Sequence, residues 1–313
     1  MTIHNRLTDS PYPPGSDVQI ISNSEVATFL GCERRHYYAH LLDGGYQPNQ
    51  FGTALTRGLI GHEALGNFYS VLRDTQSIAG AREAMVGTVH SLALGLNPDL
   101  GMLGDLLTLL KRYVDYYGES DLEAWEILAV EKYYEVELTD DFKYGMRLDL
   151  LVRNRQTGEV SVVDHKFIYD FYTANQLLID AQLPKYIGTV MHNGIRVHNG
   201  ILNQIRYRMK KGGNTNDELL RREYAVYTVN TREIRNVMRE QIMVSERIME
   251  RRRMPIEEAE RQAVRNIHKM NCNTCPFLQI CKTELQGESI RVALSAHYKP
   301  NEYGYVDEEP AIS

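Results

Sequence analysis

The chain reads as a mixed α/β protein, a mixed central β-sheet flanked by helices, and three observations lead there. Helical spacing dominates the first third. Between about residues 125 and 166 the apolar period changes to two, most clearly in YGMRLDLLV and EVSVVDHK. A helix, two further strands and a long helix follow, with no break in composition, so a single domain over 21–290 is expected. It is preceded by a flexible leader (1–20) and followed by a poorly ordered tail (291–313).

After the leader, Ser22 or Ser24 caps a short helix running to Phe29 or Leu30. Asp43 to Gln50 is a loop by its turn chemistry. A helix over Thr53–Leu72 places Leu55, Leu59, His62 and Tyr69 at helical spacing, and helices at 78–93 and 99–117 are divided by Gly95 and Pro98. Trp125 to Leu138 alternates as a strand. In the next strand Met146, Leu148, Leu150 and Val152 alternate with Arg147, Asp149, Leu151 and Arg153. Asn154–Gly158 supplies the hairpin turn, and Val160, Val162, Asp164 and Lys166 share one face of the returning strand. A helix follows Thr173, and Pro184 either kinks it or starts a second one. Strands are expected at 198–208 and 222–229, then a helix capped by Thr231 to about Arg252, and another over 256–267.

A hydrophobic fraction of 43% and a charged fraction of 24% are those of a globular protein. The formal net charge of −6 does not point to nucleic acid by itself. No apolar run is long enough for a signal peptide core or a membrane span. The expected location is cytoplasmic, where thiols stay reduced.

Two acids and a lysine on adjacent strands are the chemistry of a metal-dependent phosphodiesterase. Carboxylates supply hard oxygen ligands to a divalent cation, and an ammonium stabilises charge on the phosphate. Asp149, Asp164 and Lys166 have the right types and approximate geometry. The alternative is a structural salt bridge between Asp164 and Lys166. Glu131, on the strand before the hairpin, is a further possible ligand, although Glu135 and Glu137 share its face and read as solvated.

The order Gly58-x-x-x-His62, Gly145-x-x-x-Asp149, Asp164-x-Lys166 and Gln182-x-x-x-Tyr186 resembles the PD-(D/E)XK nuclease superfamily, and within it the RecB-type exonuclease branch. The resemblance spans roughly residues 30–285 and implies a restriction-endonuclease-like core. It implies that His62, Asp149 and Asp164 bind Mg²⁺ or Mn²⁺, that Lys166 serves catalysis, and that Gln182 and Tyr186 flank the site. Phe167 departs from the pattern, where the family often has a small hydroxyl residue. His165, in the middle of the D-x-K triplet, is expected to point away from the metal by strand alternation.

The four cysteines are Cys32, Cys272, Cys275 and Cys281, one remote and three within ten residues. Four thiolates suit zinc or an iron–sulfur cluster. The arrangement resembles the iron–sulfur nucleases of the same superfamily, the AddB type and the CRISPR-associated RecB-like exonucleases, which implies a structural 4Fe–4S cluster formed by Cys32 and residues 272–281.

Arg206, Arg208, Lys210 and Lys211 read as a phosphate-binding surface, with Tyr37, Tyr38, Tyr169, Tyr172 and Tyr207 available to stack on bases. Arg232, Arg235, Arg239, Arg247 and Arg251 lie on a helix that also carries Glu233, Glu240, Glu246 and Glu250 and reads somewhat better as a solvated face than as a phosphate-binding one. The function expected is a metal-dependent DNA exonuclease on single-stranded or frayed ends. The alternatives are a non-catalytic DNA-binding or assembly module of a recombination or CRISPR-adaptation complex, and a structure-specific endonuclease. With no Walker motif in the chain, unwinding would belong to a partner such as a helicase.

Overall fold

The computed structural model describes residues 18–210, 213–228 and 230–301. The elements in chain order are β1 (Gln19–Ser22), α1 (Asn23–Gly31), α2 (Glu33–His36), β2 (Tyr46–Pro48), α3 (Thr53–Thr75), α4 (Ile78–Leu96) and α5 (Leu100–Ala124). Then come β3 (Trp125–Glu137), β4 (Phe142–Asn154), β5 (Val160–Ile168), α6 (Ala174–Ile179), α7 (Gln182–His192), β6 (Asn199–Arg206) and β7 (Leu220–Thr228). The chain continues with α8 (Thr231–Arg253), α9 (Ile256–Gln262), α10 (Lys269–Asn273), α11 (Leu278–Leu285), α12 (Arg291–His297) and β8 (Tyr298–Pro300). This is the expected mixed α/β fold with a mixed sheet flanked by helices. The contacts divide it into two units: one of Thr53–Val136 with Met146–Arg239, the other of the residues up to Gly52, Glu137–Gly145 and those from Glu240 onward.

In the first of these units β4 and β5 pair antiparallel (Leu150 opposite Val163), β5 and β6 parallel (Asp164 opposite Leu202), and β6 and β7 antiparallel. β3 also pairs with β4. β5 is buried along both faces, and its two parities enter different cores. Val163 and Phe167 join Ile60, Leu65, Phe68, Leu106 and Leu110 of α3 and α5. Val160 and Val162 join Leu183, Ile187 and Val190 of α7. The hairpin turn forms as expected: the Asn154 carboxamide oxygen accepts from the amides of Gln156 and Thr157, and Gly158 takes φ +73°.

Behind β5 lies a buried polar chain. His165 is 2% exposed and stacks on Tyr69 at 5.6 Å. Asn203 on β6 donates to His165 Nδ1 (2.8 Å) and to the Tyr113 hydroxyl (2.6 Å). Tyr69 donates to Asp121 (2.7 Å), which also receives the Arg222 guanidinium (2.7 Å). Arg222 lies over the Tyr117 and Trp125 rings. α5 therefore runs past the expected end near residue 117: Asp121, in its last turns, is buried by this pairing.

Pro184 costs α7 no hydrogen bond, because a new helix starts at Gln182 and the proline sits in its first turn, where the amide has no helical acceptor. α6 before it is closed by a capping box between Thr173 and Gln176. The cap of α8 is Asn230 rather than Thr231, its side chain accepting from the amides of Arg232 and Glu233.

In the other unit β1 pairs in parallel with the start of β4, Gln19 opposite Phe142. Ser22 caps α1 by accepting from the Glu25 amide at 3.0 Å. Ile21, Val26, Phe29, Phe142, Ile248 and Met249 form one core, and Tyr37, Tyr38, Phe277, Ile280, Leu294 and Tyr298 another. The helix expected over 256–267 stops at Gln262 because the next residues are used extended. The Val264 carbonyl accepts from the Arg34 amide, and the Asn266 carboxamide donates to Gly31 O. Residues 291–300, expected to be loose, form α12 and β8, with Ala293, Leu294 and Tyr298 buried. Most of the expected leader and the tail from 302 lie outside the described residues. The arginines late in α8 are engaged by carboxylates of their own unit: Arg247 and Arg251 with Glu33, Arg252 with Glu25 and Arg253 with Asp141. These pairs tie that end of the helix to its own unit.

Removing one partner of a buried ion pair leaves the other charge uncompensated. Arg222→Met should lower unfolding free energy by about 3–5 kcal/mol in urea titration, and adding Asp121→Leu should restore part of the loss.

Candidate active site

Five elements converge on one place. α3 brings His62, β3 Glu131, β4 Asp149, β5 Asp164 and Lys166, and α7 Gln182 and Tyr186. His62, Glu131 and Asp149 offer ligand atoms that all lie within 4.8 Å of one another. Glu131 reaches this set because its backbone is left-handed, at φ +48° in the middle of β3. A non-glycine residue there costs on the order of 1–3 kcal/mol and needs the surroundings to hold it. The kink breaks the alternation that would have grouped Glu131 with Glu135 and Glu137. Period-two counting on the sequence therefore undervalued it.

Asp149 is buried and tied from two sides. Its Oδ2 accepts from the His165 amide at 2.7 Å and lies 3.3 Å from His62 Nδ1. Burial pushes its carboxyl up, but the charge of His62 and the hydrogen bonds from His62 and His165 outweigh it and hold the group well below the usual range. Asp164 behaves oppositely. Burial, with Asp149 and Asp180 adding to it against Lys166, raises its carboxyl to about 7. Asp164 is 2% exposed, and its Oδ2 has no hydrogen-bond partner, only Lys166 Nζ at 3.4 Å. An orphaned carboxylate oxygen beside a carboxylate–imidazole set is what a hard divalent cation would satisfy, so the residues fit Mg²⁺ or Mn²⁺. Asp164 lies outside the tight three-residue set, and Glu131 stands inside it.

Lys166 donates to Gln182 Oε1, and Gln182 Nε2 donates to the Tyr186 hydroxyl at 2.9 Å. Gln182 and Tyr186 share a face of α7, one turn apart. The Gln182 amide is fixed by Asp180 Oδ1 at 2.8 Å. Phe167, the departure from the expected pattern, packs on α3. A Cβ placed on Gly61 would meet its ring at 2.3 Å, and the ring lies edge-on to His62 at 5.6 Å. Bulk at 167 thus requires glycine at 61 and sets the height of the helix that carries His62. His165 points into the polar chain behind β5, away from these groups, as alternation requires.

In the other unit the cysteines are reduced and partly buried. Cys32 precedes α2, and its sulfur accepts from the Asn266 amide at 3.4 Å. Burial pushes the Cys275 thiol up to about 11, with Cys32 and Cys281 adding negative field against the Phe277 amide and Arg35. Arg35 lies near enough to Cys275 to favour its thiolate.

The chain belongs to the PD-(D/E)XK nuclease superfamily, whose family model matches residues 20–282. Nucleases of this superfamily use divalent metals. Among solved structures it is similar to a candidate exonuclease from Eubacterium rectale, at 14% identity over 79% of this chain and 84% of that one, with a TM-score of 0.48. It is also similar to SSO0001, at 14% identity over 71% and 83%, with a TM-score of 0.33. No curated protein sequence matches the chain. No helix among the described residues is long and apolar enough to cross a membrane.

Two outcomes are expected. Gly61→Ala should weaken Mn²⁺ binding in calorimetry by displacing His62, and Phe167→Ser in the same chain should restore it. Because a proton on Asp164 competes with the cation, Mn²⁺ affinity should fall as pH drops below about 7 and level off above it. Asp164→Asn should flatten that profile.

Proposed function

We propose that the protein is a Mg²⁺- or Mn²⁺-dependent DNA exonuclease acting on single-stranded or frayed ends. The observation that carries this reading is the Asp149–Asp164–Lys166 constellation, with His62 and Glu131 facing it and Lys166 held by Gln182. His62, Asp149, Asp164 and Glu131 would hold the ion, which supplies Lewis-acid polarisation of the phosphate and a more acidic water. Lys166 places a compact positive charge where the non-bridging oxygens gain charge as water attacks phosphorus and the P–O bond breaks. Gln182 keeps that ammonium aimed, and Tyr186 keeps Gln182 aimed. Burial of Asp164 and its raised carboxyl support a role that needs a cation to ionise it fully.

The second half of the reading is a structural 4Fe–4S cluster on Cys32, Cys272, Cys275 and Cys281, within one nuclease domain over 21–290. Reduced thiols fit a cytoplasmic protein. Unwinding of duplex would fall to a partner such as a helicase or a recombination or adaptation protein.

Lys166→Ala should reduce Mn²⁺-dependent degradation of linear single-stranded DNA by at least about 100-fold in protein that circular dichroism shows to be folded. DNA binding without cleavage by the wild type would establish the non-catalytic alternative, and cleavage of circular single strands the endonuclease. Purified protein should be brown and contain iron and sulfide, and Cys275→Ala should lose the colour. Colourless protein with stoichiometric zinc would overturn the cluster.

A further inference from the structure

Two elements of the candidate site run on beyond it and meet again. Along α3, Arg57 lies five residues before His62, roughly 7–8 Å along the helix axis. It is also one turn before Gly61, the residue that touches Phe167. Just past the end of β5, Tyr169 lies three residues beyond Lys166, about 10 Å of extended chain. β6 joins them: the Arg57 guanidinium lies 3.9 Å over the Tyr207 ring, and the Tyr207 and Tyr169 rings meet edge-on at 5.9 Å.

From there the same chemistry repeats. Arg208 lies over Tyr169 at 5.1 Å, Arg221 over Phe171 at 4.2 Å, and Arg206 over Phe171 at 5.7 Å. Asp170 pairs with Arg206 and Arg208, at 2.7 and 3.4 Å, Glu218 lies near Arg206 and takes Lys210, and Asp105 lies near Arg57. Arg221 faces Glu223 at 3.9 Å. Four guanidinium groups and the Lys210 ammonium stand against four carboxylates, so the strip keeps a small positive excess among its three aromatic rings. Tyr169 is 43% exposed and Phe171 is half-buried, while Tyr207 is half-buried and packs against the core on its inner side.

We propose that this strip, from Arg57 and Tyr207 through Tyr169 and Arg208 to Phe171 and Arg221, is a binding track for single-stranded DNA that feeds the metal site. The inference rests on the nuclease reading above and adds the residues that select the strand state. A duplex keeps its bases stacked internally and offers only phosphates. The exposed Tyr169 ring and the half-buried rings beside it, interleaved with guanidinium groups, suit unpaired bases, which stack, between phosphates, which pair with arginine. The ring edges and guanidinium planes already assembled here lower the ordering cost of binding. Nothing in the strip reads base edges, so binding is expected to be indifferent to sequence.

The test is fluorescence anisotropy of a short fluorescein-labelled oligo(dT), and of a blunt duplex of equal length, with the full-length protein in EDTA. Tyr169→Ala should weaken oligo(dT) binding by roughly 5- to 100-fold and leave the duplex within about twofold, while Tyr169→Phe stays near wild type. Arg208→Gln and Arg57→Gln should each reduce the salt dependence of oligo(dT) binding by about 0.7 in log–log slope. Hydrolysis of bis(p-nitrophenyl) phosphate by the wild-type protein reads the metal site with no strand to bind. Unchanged oligo(dT) affinity in Tyr169→Ala and Arg208→Gln, or equal losses for oligo(dT) and duplex, would overturn the track. A wild type that cleaves neither DNA nor the small ester would instead defeat the nuclease reading, and the anisotropy comparison would still decide the track.

Discussion

Everything at the candidate site depends on β5 being buried on both faces while carrying Asp164, His165 and Lys166 in consecutive positions. Burying polar groups on such a strand costs least where each has a partner. On one face, His165 is satisfied by Asn203 and packed between Tyr69 and Tyr113, in a chain that ends on the Asp121–Arg222 pair. On the other face, Lys166 is taken up by Gln182, and the Asp164 oxygen is left without a donor. The same peptide unit links the two faces, because the His165 amide donates to Asp149. The polar chain behind the strand therefore fixes the acid in front of it.

Residues next to this strand are constrained in turn. Phe167 dictates glycine at 61 and so the approach of His62. Glu131 is brought in by a left-handed residue inside a strand, strain that the local pairing of β3 with β4 must hold. The two carboxyls of the hairpin are pushed apart: Asp149 stays ionised through His62 and the His165 amide, and Asp164 is raised by burial. Two acids in one place with opposite tendencies mark a site built to hold charge rather than to solvate it.

The cysteine-bearing unit follows a different logic. Its buried charges are compensated locally, Glu25 by His36 and Arg252, and Arg34 by Glu284. The extended run after Gln262 exists to bring backbone donors and acceptors to Arg34 and Cys32. The arginine-rich end of α8 belongs to this scaffolding. The cationic–aromatic surface lies instead on Arg57, Arg206, Arg208 and Arg221 of the other unit.

Much of this was legible in the amino-acid order. Strand alternation put Asp164 and Lys166 on one face and His165 on the other, turn chemistry marked Asn154–Gly158, and the spacing of Gln182 and Tyr186 placed them on one helical face. These are local consequences of periods of two and of 3.6 residues. Other features were decided only by tertiary structure. Glu131 entered the ligand set through a positive φ that no pattern of residue types announces. Asp121 and Arg222 extended α5 through a pairing across a hundred residues of chain, and residues 263–267 gave up a helical pattern to serve Arg34. Phe167, a departure from the expected motif, became intelligible once Gly61 stood against its ring. Sequence by itself determined which side chains share a face. Burial and long-range pairing decided which of those faces meet, because the energy of a buried charge depends on partners distant in the chain.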